Sequence, residues 1–223
     1  FLTVGLVALR EMFDITIRTD EDVSECCKHP ILASVPDMAA PSKGGYYYYR
    51  GQRKGGYAAA ARKSGKQPSL MAPGISFAAA EPYKMLRTKL QFSFAGENGC
   101  RVIGLSSALS GEGKSLTAVN LAYTLSQLDK KVILIDCDMR RPSLCNKLPI
   151  RKDPGLSNYL TGQNSLSVTI QECKVDEQGG FDVIASGWTP PNPIELLSSA
   201  KMEQTLTELK ASYDYIILDL PPV

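Results

Sequence analysis

Runs of aliphatic and β-branched residues mark the predicted strands. They cover residues 101–107, 131–137, 181–186 and 213–220. The runs at 131–137 and 213–220 are almost uninterrupted, which is typical of strands that are buried on both faces. Because such strands alternate with helical patterns, the sequence predicts a doubly wound parallel α/β sheet.

Apolar residues at three- and four-residue spacing predict the helices. A helix is expected to begin at Glu81 with Pro82 in its first turn, where proline is tolerated. Others are expected over 116–128, 155–161 and 193–212. In the last of these, four residues are expected to face the core: Ile194, Leu197, Leu206 and Leu209.

The loop after the first strand has the composition of a phosphate-binding loop. Residues 108–115 read Ala-Leu-Ser-Gly-Glu-Gly-Lys-Ser, with Ala108 in place of the usual first glycine. Glycines allow backbone N–H groups to converge on a phosphate, and the following helix N-terminus favours negative charge. Lys114 is expected to reach the outer phosphates, and the Ser115 hydroxyl to hold Mg²⁺. The residues expected to bind the nucleotide are Ser110, Gly111, Glu112, Gly113, Lys114, Ser115 and Leu116.

Three aspartates stand where predicted strands end: Asp136, Asp138 and Asp219. An aspartate at such a position is often only a turn former or a helix cap. Carboxylates beside a phosphate loop, however, are what Mg²⁺ chemistry requires. Ser115, Asp138 and Asp219 are therefore the predicted metal ligands, and Lys114 with the three aspartates forms the predicted catalytic set. Asp136 is the candidate general base, although the sequence does not separate its role from that of Asp138.

Several ordered motifs resemble those of the bacterial tyrosine kinases, the polysaccharide co-polymerase type in which the kinase is fused to a membrane region. The strings SGEGKS, VILIDCDMRRP and YIILDLPPV resemble their Walker A, Walker A′ and Walker B motifs, and SGWTPPNPIELLSS matches a further family segment. Glu81, Lys84 and Arg87 fall on the family's Glu-x-x-Arg-x-x-Arg oligomerisation helix. Lys84 replaces an arginine there and cannot make its forked contact, which predicts a weakened interface.

The resemblance implies an ATP- and Mg²⁺-dependent protein-tyrosine autokinase. It implies a role in capsular or exopolysaccharide synthesis and export, and phosphorylation between subunits of a ring-like homo-oligomer. The implied partners are the polysaccharide polymerase and export machinery and a tyrosine phosphatase, with no nucleic acid. The implied location is the cytoplasmic side of the inner or plasma membrane.

Two alternatives stay open. One is a ParA- or MinD-like ATPase in which water accepts the phosphoryl group. Members of that group carry a signature lysine early in the loop, where this chain has Leu109, so the resemblance favours the kinases. The other alternative is a chain-length regulator that binds nucleotide without catalysis.

Composition divides the chain into four segments. Residues 1–10 are expected to be the end of a truncated transmembrane helix, although a buried strand or a short amphipathic start would also fit. Residues 11–38 are expected to be a juxtamembrane segment. Residues 39–80 are expected to form a basic linker rich in Gly, Ala and Tyr. The resemblance implies a kinase domain over 81–223 that is incomplete at its C-terminus. The four consecutive tyrosines at 46–49 are either phosphorylation sites or a low-complexity feature of the linker.

Charge and cysteine content add little to this picture. The formal net charge is only +2, and the six cysteines include no C-x-x-C pair. Neither a zinc site nor a disulfide framework is therefore expected. Arg140 and Arg141 follow the second strand, where they are expected either to steady phosphate charge or to form surface or intersubunit ion pairs.

Overall fold

The structure, a computed structural model, describes residues 20–35, 77–96, 98–176 and 179–223. The predicted membrane segment at 1–10, the tyrosines at 46–49 and most of the predicted linker lie outside these residues. Two compact units divide the chain, Phe1–Ser34 and Val35–Val223. In the described part of the first unit, α1 (Asp20–Cys26) has acidic residues in its first turn, where they favour the helix dipole. Of the helices in the described ranges, none combines the length and apolarity needed to cross a bilayer.

The second unit is built on a five-stranded sheet in the order β1-β5-β2-β4-β3. The strands are β1 (Arg101–Leu105), β2 (Val132–Asp136), β3 (Ile170–Asp176), β4 (Gly179–Ile184) and β5 (Tyr215–Asp219). All pairs are parallel except the one between β3 and β4. The predicted α/β sheet is confirmed, with one antiparallel edge strand that the sequence analysis did not predict.

Helices α2 (Phe77–Ser93), α3 (Lys114–Ser126), α4 (Leu156–Leu160) and α5 (Leu166–Thr169) precede β3, and a 3-10 turn spans Leu144–Asn146. Helices α6 (Pro193–Leu197) and α7 (Ala200–Lys210) lie between β4 and β5. Helix α3 packs on four strands, β1, β2, β4 and β5, and α2 packs on α3. Every residue of β2 is buried, which agrees with its uninterrupted apolar sequence.

Two helix predictions were wrong in detail. Helix α2 begins at Phe77 rather than Glu81, so Pro82 lies inside it. The Ala-Ala-Ala run before Glu81 has the highest helix propensity, which explains the earlier start.

The helix expected over 193–212 is broken into α6 and α7. Ser199 causes the break, because its Oγ accepts a hydrogen bond from the Met202 N–H and caps a new helix. Ile194 is consequently 62% exposed rather than in the core. Leu209 is buried as expected, and Leu197 and Leu206 pack partly buried against the core.

Candidate active site

The phosphate loop connects the carboxyl end of β1 to the first turn of α3. Gly111 and Gly113 have φ angles of +95° and +89°, a region that other residues rarely adopt. Gly113 immediately precedes α3, whose first N–H groups have no partner within the helix. The sequence therefore forms the predicted strand–loop–helix unit, with a helix N-terminus directed at the loop.

Hydrogen bonds within the loop and to the chain after β5 fix its path. Ser107 Oγ donates to the Leu109 carbonyl oxygen at 2.8 Å, and the Leu109 N–H donates to Glu112 Oε2 at 3.1 Å. Ser106 Oγ donates to the Pro221 carbonyl oxygen at 2.8 Å. The Glu112 carboxylate thus accepts a hydrogen bond within the loop itself. Leu109, at the position of the signature lysine, is 68% exposed.

The predicted aspartates come together at the carboxyl edge of the sheet. Asp136 ends β2 and Asp219 ends β5, and the two are register partners on neighbouring parallel strands. The Cys137 N–H donates to the Asp219 backbone oxygen at 3.0 Å, which continues the pairing by one residue. Asp138 follows and is 7% exposed, so three carboxyl groups are concentrated in a largely dry region.

Lys114 connects the phosphate loop to two of these carboxylates. Its Nζ makes a short hydrogen bond to Asp219 Oδ1 and lies 4.0 Å from Asp138 Oδ2. The side chains of Lys114 and Asp138 are 8% and 10% exposed, and that of Asp219 is 0% exposed. Burial makes this contact between opposite charges stronger than an ion pair in water. Lys114 Nζ is also 3.5 Å from Ser115 Oγ.

Asp136 is the register partner of Asp219, and its carboxylate accepts hydrogen bonds from the loop that follows β2. Its Oδ1 accepts the Asp138 N–H at 3.2 Å, and its Oδ2 accepts the Leu144 N–H at 3.4 Å. Burial, followed by the charge of Asp219, raises the pKa of Asp136 to about 7, against the two backbone hydrogen bonds that lower it. Asp138 Oδ1 in turn accepts the Arg141 N–H at 3.0 Å.

A cavity of about 220 Å³ opens beside the loop. Small-molecule sites usually hold at least about 300 Å³, so this volume fits phosphate groups and a metal ion better than a whole nucleotide. Its lining includes six of the seven predicted nucleotide-binding residues, all except Glu112, together with Asp138, Arg141, Ser143, Lys147 and Pro222. Asp136 and Asp219 are not among the lining residues. The sequence analysis missed Ser143 and Lys147, because nothing in their local pattern separates them from an ordinary loop.

The predicted metal ligands offer the oxygen atoms that Mg²⁺ prefers. Asp219 Oδ2 is buried and has no hydrogen-bond partner in the described parts of the chain, so it is free to accept a cation or a water bound to one. No three His, Cys, Asp or Glu side chains of the described residues form a ready-made metal cage.

The predicted oligomerisation residues are engaged within their own chain. Lys84 Nζ lies 3.3 Å from Glu81 Oε1 on the surface of α2. Arg87 Nη1 donates to the Thr124 carbonyl oxygen at 2.7 Å and thereby joins α2 to the last turn of α3. Their role in assembly remains a prediction.

Comparison with known proteins identifies the family. Residues 100–223 match the family model described as the AAA domain. The chain is 32% identical to the BceF tyrosine kinase domain, with a TM-score of 0.73 and coverage of 93% of this chain and 77% of that one. It is 38% identical to the tyrosine-protein kinase YwqD of Bacillus subtilis over 65% of this chain, and spans 59% of YwqD.

The chain is also 38% identical to the tyrosine-protein kinase etk of Escherichia coli over 65% of its own length, but it spans only 19% of that protein. It thus corresponds to part of these curated relatives. The phosphate loop and the strand-end aspartates lie inside residues 100–223, which the family model matches. The chain belongs to the AAA domain family and, within it, to the bacterial tyrosine kinases.

Proposed function

We propose that this chain carries the catalytic region of an ATP-dependent protein-tyrosine autokinase. The observation that supports this most strongly is the contact of Lys114 with Asp219 and its approach to Asp138, beside a phosphate loop. In the proposed reaction, a tyrosine oxygen forms a bond to the γ-phosphorus of ATP. The bond between that phosphorus and the leaving oxygen breaks, and ADP departs.

Enzymes catalyse phosphoryl transfer mainly by positioning the reactants and by stabilising the negative charge of the transition state. The N–H groups around Gly111 and Gly113 and the N-terminus of α3 are proposed to bind the phosphates. The Lys114 ammonium then exchanges its contact with Asp219 for the phosphate oxygens. Because the group is largely buried, its charge acts on the phosphates with little screening by water.

Ser115, Asp138 and Asp219 are the residues proposed to hold Mg²⁺, directly or through water. When bound, the ion would neutralise charge on the phosphate oxygens. The buried, unpartnered Oδ2 of Asp219 supports this assignment. Of the described residues that line the cavity, Asp138 supplies the carboxylate and Ser115 the hydroxyl at the start of α3.

Access to the cavity favours Asp138 over Asp136 as the acceptor of the tyrosine proton. The pKa of Asp136 is raised to about 7, which suits a general base. Its carboxylate, however, is fully buried, accepts two backbone N–H groups and does not line the cavity. Asp138 lines the cavity. We therefore propose that Asp138 holds Mg²⁺ through water rather than directly, so that its carboxylate can accept the tyrosine proton. The positioning of the loop after β2 is assigned to Asp136.

The acceptor tyrosine is proposed to come from another segment or another copy of the chain. In the described residues, Tyr83, Tyr123 and Tyr215 are buried, and Tyr159 and Tyr213 are half-buried. Tyr213 also donates from its hydroxyl to Asp182 Oδ2 at 2.6 Å. None of these five is an exposed residue, which makes segments such as the tyrosines at 46–49 candidate acceptors.

The wider setting follows the family resemblance. We propose a ring-like homo-oligomer in which α2, with Glu81, Lys84 and Arg87, contributes to the interface. We further propose that the protein acts on the cytoplasmic face of the inner or plasma membrane. Its proposed partners are the polysaccharide polymerase and export machinery for capsule or exopolysaccharide, and a tyrosine phosphatase.

Phosphotyrosine formation by the full-length protein tests the proposal. Wild-type protein incubated with Mg²⁺ and γ-labelled ATP is expected to gain label on tyrosine, and Lys114→Met is expected to lose it. Lys130→Met is the matched control, because Lys130 is an exposed lysine that pairs with Asp214 away from the loop. Release of labelled phosphate without phosphotyrosine would instead indicate a water-dependent ATPase. Equal labelling of the wild type and Lys114→Met would contradict the role of the loop.

A further inference from the structure

The cavity has a second wall, formed by the segment that follows β2. Ser143 and Lys147 line this wall together with Asp138 and Arg141. The functions assigned so far do not use Ser143 or Lys147. We propose that these two residues bind the terminal phosphate of the nucleotide, so that the site distinguishes a triphosphate from a diphosphate. This inference rests on the proposed function, because it requires a nucleotide in the phosphate loop.

The charge balance of the site calls for cations besides Lys114. The Lys114 ammonium already faces two carboxylates, those of Asp219 and Asp138. A triphosphate adds about four negative charges, of which one Mg²⁺ cancels two. Arg141 and Lys147 are the other cationic residues that line the cavity. In the described parts of the chain neither of them forms an ion pair, so both charges are available to a ligand.

The backbone beneath Lys147 is held in place by the active site itself. Leu144, which begins the 3-10 turn, is fully buried, and its N–H donates to Asp136 Oδ2 at 3.4 Å. The Lys147 N–H donates to the Leu144 carbonyl oxygen at 2.9 Å, and the next residue, Leu148, is 5% exposed. Lys147 is thus anchored on both sides, while its exposed side chain extends from a fixed point beside the cavity. Such preorganisation lowers the entropic cost of binding.

Ser143 supplies an independent indication of a ligand. Its Oγ is buried and has no hydrogen-bond partner among the described residues. A buried hydroxyl without a partner is costly, so such groups usually bind water or a ligand. A phosphate oxygen is a suitable acceptor for this hydroxyl, and Ser143 lines the same cavity as Lys147. The two residues therefore provide one neutral donor and one cation on a single short segment.

Calorimetric titration of the full-length protein separates the two nucleotides. Adenylyl imidodiphosphate and ADP, each with Mg²⁺, are titrated into the wild type, Ser143→Ala and Lys147→Ala. Loss of a hydrogen bond to a charged group predicts triphosphate binding that is about tenfold weaker in each variant. Binding of ADP is expected to stay within about twofold of the wild-type value, because ADP lacks the terminal phosphate.

Two further variants serve as controls. Lys147→Arg keeps the charge and is expected to keep the preference for the triphosphate. Lys152→Ala removes another exposed lysine of the same loop that does not line the cavity, and both nucleotides are expected to bind as to the wild type. If Lys147→Ala weakens the binding of both nucleotides equally, or weakens the binding of neither, the inference is overturned while the proposed function stands. Failure of the wild type to bind either nucleotide would instead contradict the proposed function.

Discussion

Two pairs of glycines in this molecule serve different purposes. Gly111 and Gly113 of the phosphate loop have positive φ angles, and a Cβ added to either would meet nothing within 4 Å. Gly155 and Gly187 touch each other where the start of α4 meets the chain after β4. A Cβ on Gly155 would lie 2.2 Å from the Gly187 nitrogen and 2.4 Å from the Ala185 oxygen.

The difference separates a binding requirement from a packing requirement. In the loop, open space surrounds a backbone that only glycine adopts readily, which leaves room for a ligand to approach the N–H groups. At Gly155 the space is filled by backbone, and the Leu156 N–H donates to the Ala185 oxygen at 2.7 Å. Changes at the first pair should therefore affect function, and changes at the second should affect folding.

The largest effect is expected for Gly155→Ala. The new methyl group cannot avoid backbone atoms by a rotamer change, so two chain segments must separate. We expect a loss of about 3 kcal/mol in the free energy of unfolding, at the upper end for overpacking. Chemical denaturation measures this loss. Gly96→Ala serves for comparison: a Cβ there would meet nothing within 4 Å, but φ is +89°, so the variant is expected to lose only about 1 to 2 kcal/mol, which is what alanine costs at a positive φ. An unchanged stability in Gly155→Ala would contradict the close contact.

The next effect concerns the buried carboxyl group of Asp136. Its pKa is raised from 3.8 to about 7, so between these values the folded protein binds more protons than the unfolded chain. The stability from this group is therefore greatest at low pH and falls as pH rises towards 7, by at most about 1.4 kcal/mol per pH unit.

Asp136→Asn should remove this component of the pH dependence. Melting temperatures of the wild type and the variant are measured between pH 5 and pH 8. The difference between them is expected to change most between pH 5 and pH 7 and to level off towards pH 8, where Asp136 is mostly ionised in the folded state as well. Parallel curves for the two proteins would show that Asp136 is not titrating there.

A smaller change in stability is expected for Gly113→Ala, with a larger change in binding. Alanine at a positive φ costs about 1 to 2 kcal/mol, and no atom of the described residues lies within 4 Å of the added methyl group. The N–H groups around residue 113 must shift to relieve this strain. Nucleotide affinity is therefore expected to fall at least about tenfold, which calorimetry can measure. Unaltered affinity would mean that the loop conformation is not required for binding.

The smallest effect is expected for Glu112→Ala. Although Glu112 was predicted to bind the nucleotide, its carboxylate accepts the Leu109 N–H and does not line the cavity. Loss of one exposed hydrogen bond predicts a change in stability of about 0.5 kcal/mol. The dissociation constant for Mg-ATP is expected to change by less than about threefold, and a loss comparable to that of Gly113→Ala would restore Glu112 to the binding set.

Much of the fold was readable because its central strands are buried on both faces. The runs that become β2 and β5 are nearly all aliphatic, and no helical spacing competes with them. Edge strand β3 was missed. Among its residues whose burial is described, only Cys173 is buried, and charged residues stand beside it in the sequence. The position of β3 is set by its pairing with β4. A local sequence pattern contains no information about that pairing.

The site was predictable only in part for a similar reason. Parallel strands end at one edge of a sheet, so the meeting of Lys114 with Asp219 follows from the order of the motifs. Which of Asp136 and Asp138 reaches the cavity depends on the turn after β2, where Asp136 is used to bind backbone N–H groups. Ser143 and Lys147 join the site through the same turn, whose path no periodicity predicts.

A crystal structure of the kinase region with Mg²⁺ and a non-hydrolysable ATP analogue would test the central claim most directly. We predict that the phosphates occupy the loop between Gly111 and Ser115 and that the Lys114 ammonium leaves Asp219 to contact them. An analogue bound elsewhere, with Lys114 still on Asp219, would contradict the assignment of this cluster to phosphoryl transfer.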